Sequence, residues 1–228
     1  MHALKKLPPL IGLFLFLSTC NRIGSNETQI EVDARQTDAY TIIASKNFHS
    51  GYPSLADSGL VNVIVEIPAG TNAKWEVSSA GDSLLWEFKK GKPRVVNYLP
   101  YPGNYGMIPR TILPKEQGGD GDPLDIIVLG ESVQRGSVIS ARLIGVLKIL
   151  DNGEQDDKLI GIMPTSPLFP VRDLNELGEK YSGASEILKL WFSNYKGPGE
   201  MEFRGFGDKK QAERILSQAQ KAFIDLHN

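Results

Sequence analysis

Between Gly118 and Asp125 the chain reads Gly-Gly-Asp120-Gly-Asp122-Pro-Leu-Asp125, then runs straight into the apolar stretch Ile126-Ile127-Val128-Leu129. Three carboxylates within six positions repel one another, and the cost is tolerable only if they are solvated or share a cation. A set of oxygen donors without nitrogen or sulfur favours hard divalent ions such as Mg²⁺, Mn²⁺ or Ca²⁺. Pro123 fixes its own φ and biases Asp122 toward an extended conformation, so the turn is stiff and its carboxylates are aimed. A calcium loop of the EF-hand type would begin at Asp120 and end on Glu131. It is excluded, because Pro123 and Leu124 fall at its fourth and fifth positions and Asp125 at the sixth, where glycine is required. Taken alone, the motif could still be an acidic surface turn.

Other charged residues recur at spacings that converge. Asp151 and Asp156 stand at the two ends of an acidic turn between apolar runs, with Lys158 on the run that leaves it. Lys74 and Glu76 are two apart in a β-type stretch, hence on one face of a strand. Tyr195-Lys196 closes a helical pattern just before Gly197-Pro198-Gly199, where a lysine is also favoured by the helix dipole alone. Each of these has an ordinary reading as a solvated surface group.

The elements that must position them are mostly strands. Short β-type runs cover Val61–Ile67, Ala73–Val77, Ser83–Phe88, Ile126–Leu129, Val138–Leu150 and Leu159–Met163, separated by turn signals. Such spacing predicts a small closed or partly closed sheet. Helical periodicity appears late, over Ser185–Tyr195 and over Lys209–Leu226. The expected class is mainly β with α, an OB-like five-stranded β-barrel with two or more packed helices.

Taken in order, the motifs resemble those of the family I soluble inorganic pyrophosphatases over roughly residues 60 to 225. The likeness rests on Val-Glu66-Ile-Pro with Asn-Ala-Lys74-Trp-Glu76, Lys-Gly-Lys-Pro-Arg94, Tyr101-Pro-Gly-Asn-Tyr105-Gly, Gly-Asp120-Gly-Asp122-Pro-Leu-Asp125, Asp151 through Lys158, and Asn-Tyr195-Lys196. The resemblance implies that Asp120, Asp125, Asp151 and Asp156, with Glu76 as a further ligand, hold three to four Mg²⁺ ions, Mn²⁺ being a possible substitute. It implies that Asp122 is the general base toward the attacking water, with Tyr105 beside it at the reacting centre. Lys74, Arg94, Tyr105, Lys158, Tyr195 and Lys196 would bind the two phosphoryl groups of pyrophosphate, and Glu66 and Tyr101 would line the pocket. Two departures stand out: Asn152 follows Asp151 where bacterial relatives often carry a second acid, and Lys89-Lys90-Gly91-Lys92-Pro93-Arg94 is longer than the short bacterial pattern and closer to the eukaryotic one. A charge count agrees with metal dependence. Seven carboxylates in this set face four cations, a local balance of −3 that would repel a polyanion unless divalent cations reverse its sign.

Composition narrows the alternatives. With 25 Lys plus Arg against 27 Asp plus Glu, the chain lacks the basic excess of a nucleic-acid binder, and an oligonucleotide- or sugar-binding barrel would need a basic, aromatic groove where this set is acidic. The single cysteine, Cys20, excludes an internal disulfide framework and a thiolate-rich metal site. Residues 1–19 have the layout of a signal peptide: Lys5 and Lys6, an apolar stretch ending in Leu10–Leu17 that is too short to span a bilayer, then small residues. Leu17-Ser18-Thr19-Cys20 resembles a bacterial lipobox, so Cys20 is the expected lipidation site and residues 20–39 a flexible tether, with the enzyme domain over 40–228. The expected location is the bacterial periplasm or cell envelope, on a membrane through the lipid anchor, or the cytoplasm if the segment is not processed. The family resemblance implies a homo-oligomer. A non-catalytic metal-binding lipoprotein that has kept the fold is the alternative.

Overall fold

The computed structural model describes residues 31–32, 34–114, 119 and 121–227 of the 228-residue chain. The expected signal peptide, Cys20 and Asp120 lie outside the described residues.

Five strands close a ring. They are β4 (Val61–Ile67), β9 (Asn104–Met107), β10 (Asp125–Leu129), β11 (Ser137–Asp151) and β13 (Lys158–Ile162), joined in the order β11-β13-β10-β9-β4 and back to β11. All neighbours are antiparallel except β10 and β13, which run parallel with Ile126 opposite Leu159. The 15-residue β11 serves several partners in turn: its first part pairs with β4, its middle with β13, and its end with β14 (Met201–Gly207) and the short β12 (Glu154–Gln155). The fold is thus the expected OB-like, mainly β ring, with three helices among the described residues: α1 (Leu174–Lys180), α2 (Ala184–Asn194) and α3 (Lys209–His227).

A smaller antiparallel sheet, β2 (Ala34–Gln36), β3 (Thr41–Ala44), β6 (Ser83–Trp86) and β5 (Trp75–Val77), in the spatial order β2-β3-β6-β5, and a hairpin, β7 (Phe88–Lys89) with β8 (Lys92–Pro93), flank the ring. Strand pairing reaches back before Tyr40. The strand β1 (Glu31–Val32) pairs with Val138 and Ser137 of β11, and Ala34–Gln36 pairs with β3, so the end of the stretch expected as tether belongs to sheets. Edge strands of this kind are held by main-chain hydrogen bonds, which the polar composition of the segment does not advertise.

Strand alternation divides the core. Ile126 and Val128 pack in one cluster with Val61, Val63, Val65 and the α3 residues Ala212, Leu216 and Ala219. Ile127 and Leu129, pointing the other way, join Ile144, Leu147, Ile160 and the α2 residues Leu188, Trp191 and Phe192. The α2 cluster includes Tyr101 and Tyr105, so the apolar packing that stabilises the ring also fixes two tyrosines of the motif set.

Candidate active site

The parallel pairing of β10 and β13 brings two of the motifs together. Asp125 is the first residue of β10 and Lys158 the first of β13, and because the strands start side by side the two side chains share one end of the ring. Lys158 Nζ lies 2.5 Å from Asp125 Oδ2 and 2.5 Å from Asp156 Oδ1, with Lys158 only 2% exposed. Asp151, the last residue of β11, reaches the same end and pairs with Lys196 just beyond α2. The turn between Asp151 and Glu154 is Asn152-Gly153, with positive φ at both residues (50° and 90°), the tight hairpin geometry that keeps Asp151 and Asp156 close.

The opposite wall comes from β4 and the small sheet. Glu66, near the end of β4, accepts a 2.8 Å hydrogen bond from the Val77 amide, while Lys74 and Glu76 share a face as expected and pair at 2.7 Å. Tyr105 is set between β4 and β10 and donates its hydroxyl to Asp125. Tyr195 caps α2 and stacks on Trp191, with ring centroids 4.7 Å apart.

These side chains line one cleft of about 430 Å³ that includes Glu66, Lys74, Glu76, Arg94, Tyr105, Asp122, Asp125, Asp151, Asp156, Lys158, Tyr195 and Lys196. Of the remaining residues of the set, Tyr101 stands behind this wall with its ring 5.4 Å from Tyr105 and 4.3 Å from Trp191, and Asp120 is outside the described residues. Three residues in or beside the cleft escape sequence reasoning. His49 and Ser79 line it from turns with no chemical motif around them, and Glu87 holds the Arg94 guanidinium with both carboxylate oxygens at 2.7 and 2.8 Å. Glu87 and Arg94 flank the hairpin and are joined by an Arg94 N–H to Glu87 carbonyl bond, a strand-partner relation that spacing around the Lys-Gly-Lys turn could have suggested.

The electrostatics follow from crowding charge into a half-closed space. Burial opposes the Asp125 charge, but Lys158 and the Tyr105 hydroxyl outweigh it and hold the carboxyl below its ordinary value. At Asp156 burial wins over the same lysine and the carboxyl is raised. Burial also lifts Glu66, to about 8, even though Lys74 pulls it down. Burial disfavours the Lys74 and Lys158 ammonium groups, yet the surrounding anions prevail and both are held above the usual lysine range. Tyr101, pushed by burial to about 12, and Tyr105 and Tyr195, raised for the same reason, remain hydroxyl donors.

The donor set suits a hard divalent cation. With Glu66 protonated at neutral pH, five further carboxylates in the cleft face four cations, and Lys158 and Lys196 already stand on three of those carboxylates. Asp125, Asp151, Asp156 and Glu76 offer oxygen ligands alone, the chemistry that Mg²⁺ requires. An anion entering this cleft would meet lysine, arginine and tyrosine donors between carboxylates that need metal.

Known proteins are similar to this chain in sequence and in fold. Residues 63–224 match the inorganic pyrophosphatase family. The inorganic pyrophosphatase of Yarrowia lipolytica is 35% identical over 192 residues, which cover 75% of this chain and 67% of that protein. The Kluyveromyces lactis inorganic pyrophosphatase is 33% identical over 215 residues, 83% of this chain and 75% of the relative. Among solved structures, type I inorganic pyrophosphatase from Toxoplasma gondii superposes with a TM-score of 0.75 at 26% identity, covering 85% of this chain and 97% of its own. The Schistosoma japonicum inorganic pyrophosphatase gives 0.73 at 28% identity, covering 82% and 76%. A match through the whole ring, in a chain whose cleft gathers acids and bases at the starts of β10 and β13, places this protein in the inorganic pyrophosphatase family.

Proposed function

We propose that this protein is an inorganic diphosphatase, which hydrolyses pyrophosphate to two orthophosphates with divalent metal, typically Mg²⁺. The observation that carries the reading is the convergence of Asp125, Asp151 and Asp156 with Lys158 and Lys196 at one end of the ring, in a chain of this family. Asp125, Asp151, Asp156 and Glu76, with Asp120, would hold the metal, three to four ions in all. Divalent cations held there would supply Lewis acidity toward the attacking water and neutralise charge on the departing phosphate.

The chain's own groups do the rest. Asp122, in the cleft wall beside Pro123, takes the proton of the attacking water as general base. Lys158 and Lys196, paired here with Asp125, Asp156 and Asp151, would donate to phosphoryl oxygens once those carboxylates held metal. Lys74, Arg94, Tyr105 and Tyr195 complete the cradle; Arg94 is pre-oriented by Glu87, and the tyrosines stay protonated at neutral pH. Holding the anhydride in line for attack accounts for the dense packing behind the site, since effective positioning needs side chains that cannot swing. Phosphate release from pyrophosphate, with and without Mg²⁺, tests the reading: no release at any divalent concentration refutes it. Full activity in Asp125→Asn would refute the metal assignment.

We further propose that residues 1–19 are a signal peptide and that Cys20 carries a lipid, which places the enzyme in the bacterial cell envelope, as a homo-oligomer. The supporting features are the Lys5-Lys6 start, the apolar stretch and the lipobox-like ending. Among the described residues no helix is long and apolar enough to cross a membrane. Cys20→Ala is expected to move the protein out of the membrane fraction, and unchanged fractionation counts against the lipid.

A further inference from the structure

Behind the cleft, the small sheet carries two tryptophans that meet across strands. Trp75 of β5 and Trp86 of β6 are direct partners, with their rings stacked 5.6 Å apart at 25°. Arg135 stands in the turn that leads into β11. Its guanidinium lies 4.6 Å from the centre of the Trp75 ring, and its Nε donates to the Glu66 carbonyl at 2.8 Å. At the other end of the series Trp86 Nε1 donates to the Arg94 carbonyl at 2.8 Å. Arg135 is thus joined through two indoles to the main chain of Arg94.

That carbonyl is a node. It also accepts the Lys74 amide at 3.0 Å, while the Lys74 carbonyl accepts from the Glu87 amide and the Glu87 carbonyl from the Arg94 amide. The main chains of Lys74, Glu87 and Arg94 therefore close a ring of three hydrogen bonds, and the Trp86 indole anchors that ring to the sheet. Ordinary packing does not call for these residues. Trp75 is 2% exposed and its Nε1 has no acceptor among the described residues, a cost that leucine or phenylalanine would avoid. Arg135 is half-buried with no carboxylate partner among the described residues, and burial pushes its guanidinium down to about 10. What the indole at position 75 supplies is its flat face, which both a cation and a second indole contact.

We propose that Arg135, Trp75 and Trp86 are positioning residues for pyrophosphate hydrolysis, holding the main chains of Lys74 and Arg94 so that their side chains meet the two phosphoryl groups at a fixed spacing. The proposal rests on the pyrophosphate reading above. None of the three lines the cleft, so they act through the node and not on substrate. Donors displaced by a fraction of an ångström lose much of their worth, which is why a rigid support behind them matters.

The test measures steady-state hydrolysis of pyrophosphate by the full chain with Mg²⁺, with circular dichroism and thermal unfolding as checks on the fold. Trp86→Phe keeps a ring and removes the donor to Arg94. Its KM is expected to rise about fivefold, the worth of one hydrogen bond, with kcat within about twofold. Trp75→Leu and Arg135→Met should raise KM by about three- to fivefold, whereas Trp75→Phe, which keeps an aromatic face, should stay within about twofold of the parent. In an Arg94→Ala background the Trp86→Phe effect should shrink, because the side chain it positions is gone. Variants that melt earlier but keep the parent's KM assign the series to stability alone and overturn the proposal. An undiminished Trp86→Phe effect without the Arg94 side chain overturns it as well. Inactivity of the parent chain on pyrophosphate strikes the reading on which the proposal rests, whereas an active parent with unaltered variants strikes the proposal alone.

Discussion

Replacing Lys158 by methionine isolates the balance between ammonium and carboxylates. The side chain is 2% exposed and sits 2.5 Å from both Asp125 and Asp156, so Lys158→Met keeps most of the volume and leaves two crowded anions without their cation. Breaking a buried pair by removing one partner costs about 3–5 kcal/mol. In chelator, that corresponds to a fall of about 1–2.5 M in the urea midpoint at a slope of about 2–3 kcal/mol/M. Mg²⁺ changes the comparison. On the proposed metal assignment, Mg²⁺ in the parent chain would have to draw Asp125 and Asp156 away from Lys158, while in the variant the carboxylates would be open to it. A ligand at a hundred times its Kd stabilises by about 2.7 kcal/mol, and the variant should realise more of this than the parent, which narrows the gap by about 2 kcal/mol. Urea unfolding followed by tryptophan fluorescence, with and without Mg²⁺, measures both quantities. A variant as stable as the parent in chelator, or a gap unaltered by Mg²⁺, would refute the reasoning.

Other perturbations probe the walls of the cleft. Glu66 titrates near 8 folded and near 4.5 unfolded, so between these values the folded state keeps a proton that the unfolded state has lost, and stability falls as pH rises. Up to about 5 kcal/mol is at stake at 1.36 kcal/mol per unit, and Glu66→Gln, which can still accept from Val77, should match the parent at pH 4 and exceed it at pH 8.5 in metal-free urea titrations. At Gly106, in β9 between Val65 and Ile126, a Cβ would run into the Ile64 carbonyl, so Gly106→Ala is expected to cost about 2–3 kcal/mol and to lower kcat by displacing Tyr105, measured by thermal unfolding and steady-state kinetics. Trp191→Leu removes the ring under Tyr195 and the 2.9 Å bond from Nε1 to the Leu99 carbonyl; a loss of about 3 kcal/mol and a raised KM for pyrophosphate are expected from the same pair of assays.

The sequence carried its signal where apolar runs were long and where acids were crowded. Val61–Ile67 was legible to the residue, and Lys209–Leu226 to within a residue, because burial on one face imposes a period on each. The strand β9, Asn104-Tyr-Gly-Met, was not legible: it has no β-branched residue, and it is a strand because β4 and β10 supply main-chain partners on both sides. Helix α1, seven residues long with Leu177 as its buried residue, carries no apolar periodicity, and its one local signal is the cap in which Asp173 accepts from the Glu176 amide. At the site, residue types could be chosen from spacing and resemblance, but pairings could not. Nothing in the order of residues says that Lys196 meets Asp151 or that Lys158 bridges two aspartates 33 and 2 positions away, since these follow from how strand ends align.

That alignment has an energetic consequence. Parallel strands that start together deliver their first residues to the same edge, and here the first residues are an acid and a lysine. A site of carboxylates alone would push folding toward dependence on metal, as in small domains whose binding energy is their folding energy. In this protein Lys158, Lys196 and Lys74 each stand on a carboxylate of the cleft, so the electrostatic cost is largely offset before any ion arrives. The ring, with its three apolar clusters, can then fold on hydrophobic burial, and metal affinity is free to be set by function. The same lysines are the groups proposed to hold phosphoryl oxygens, so the charge that balances the resting site becomes available to substrate when the carboxylates change partner.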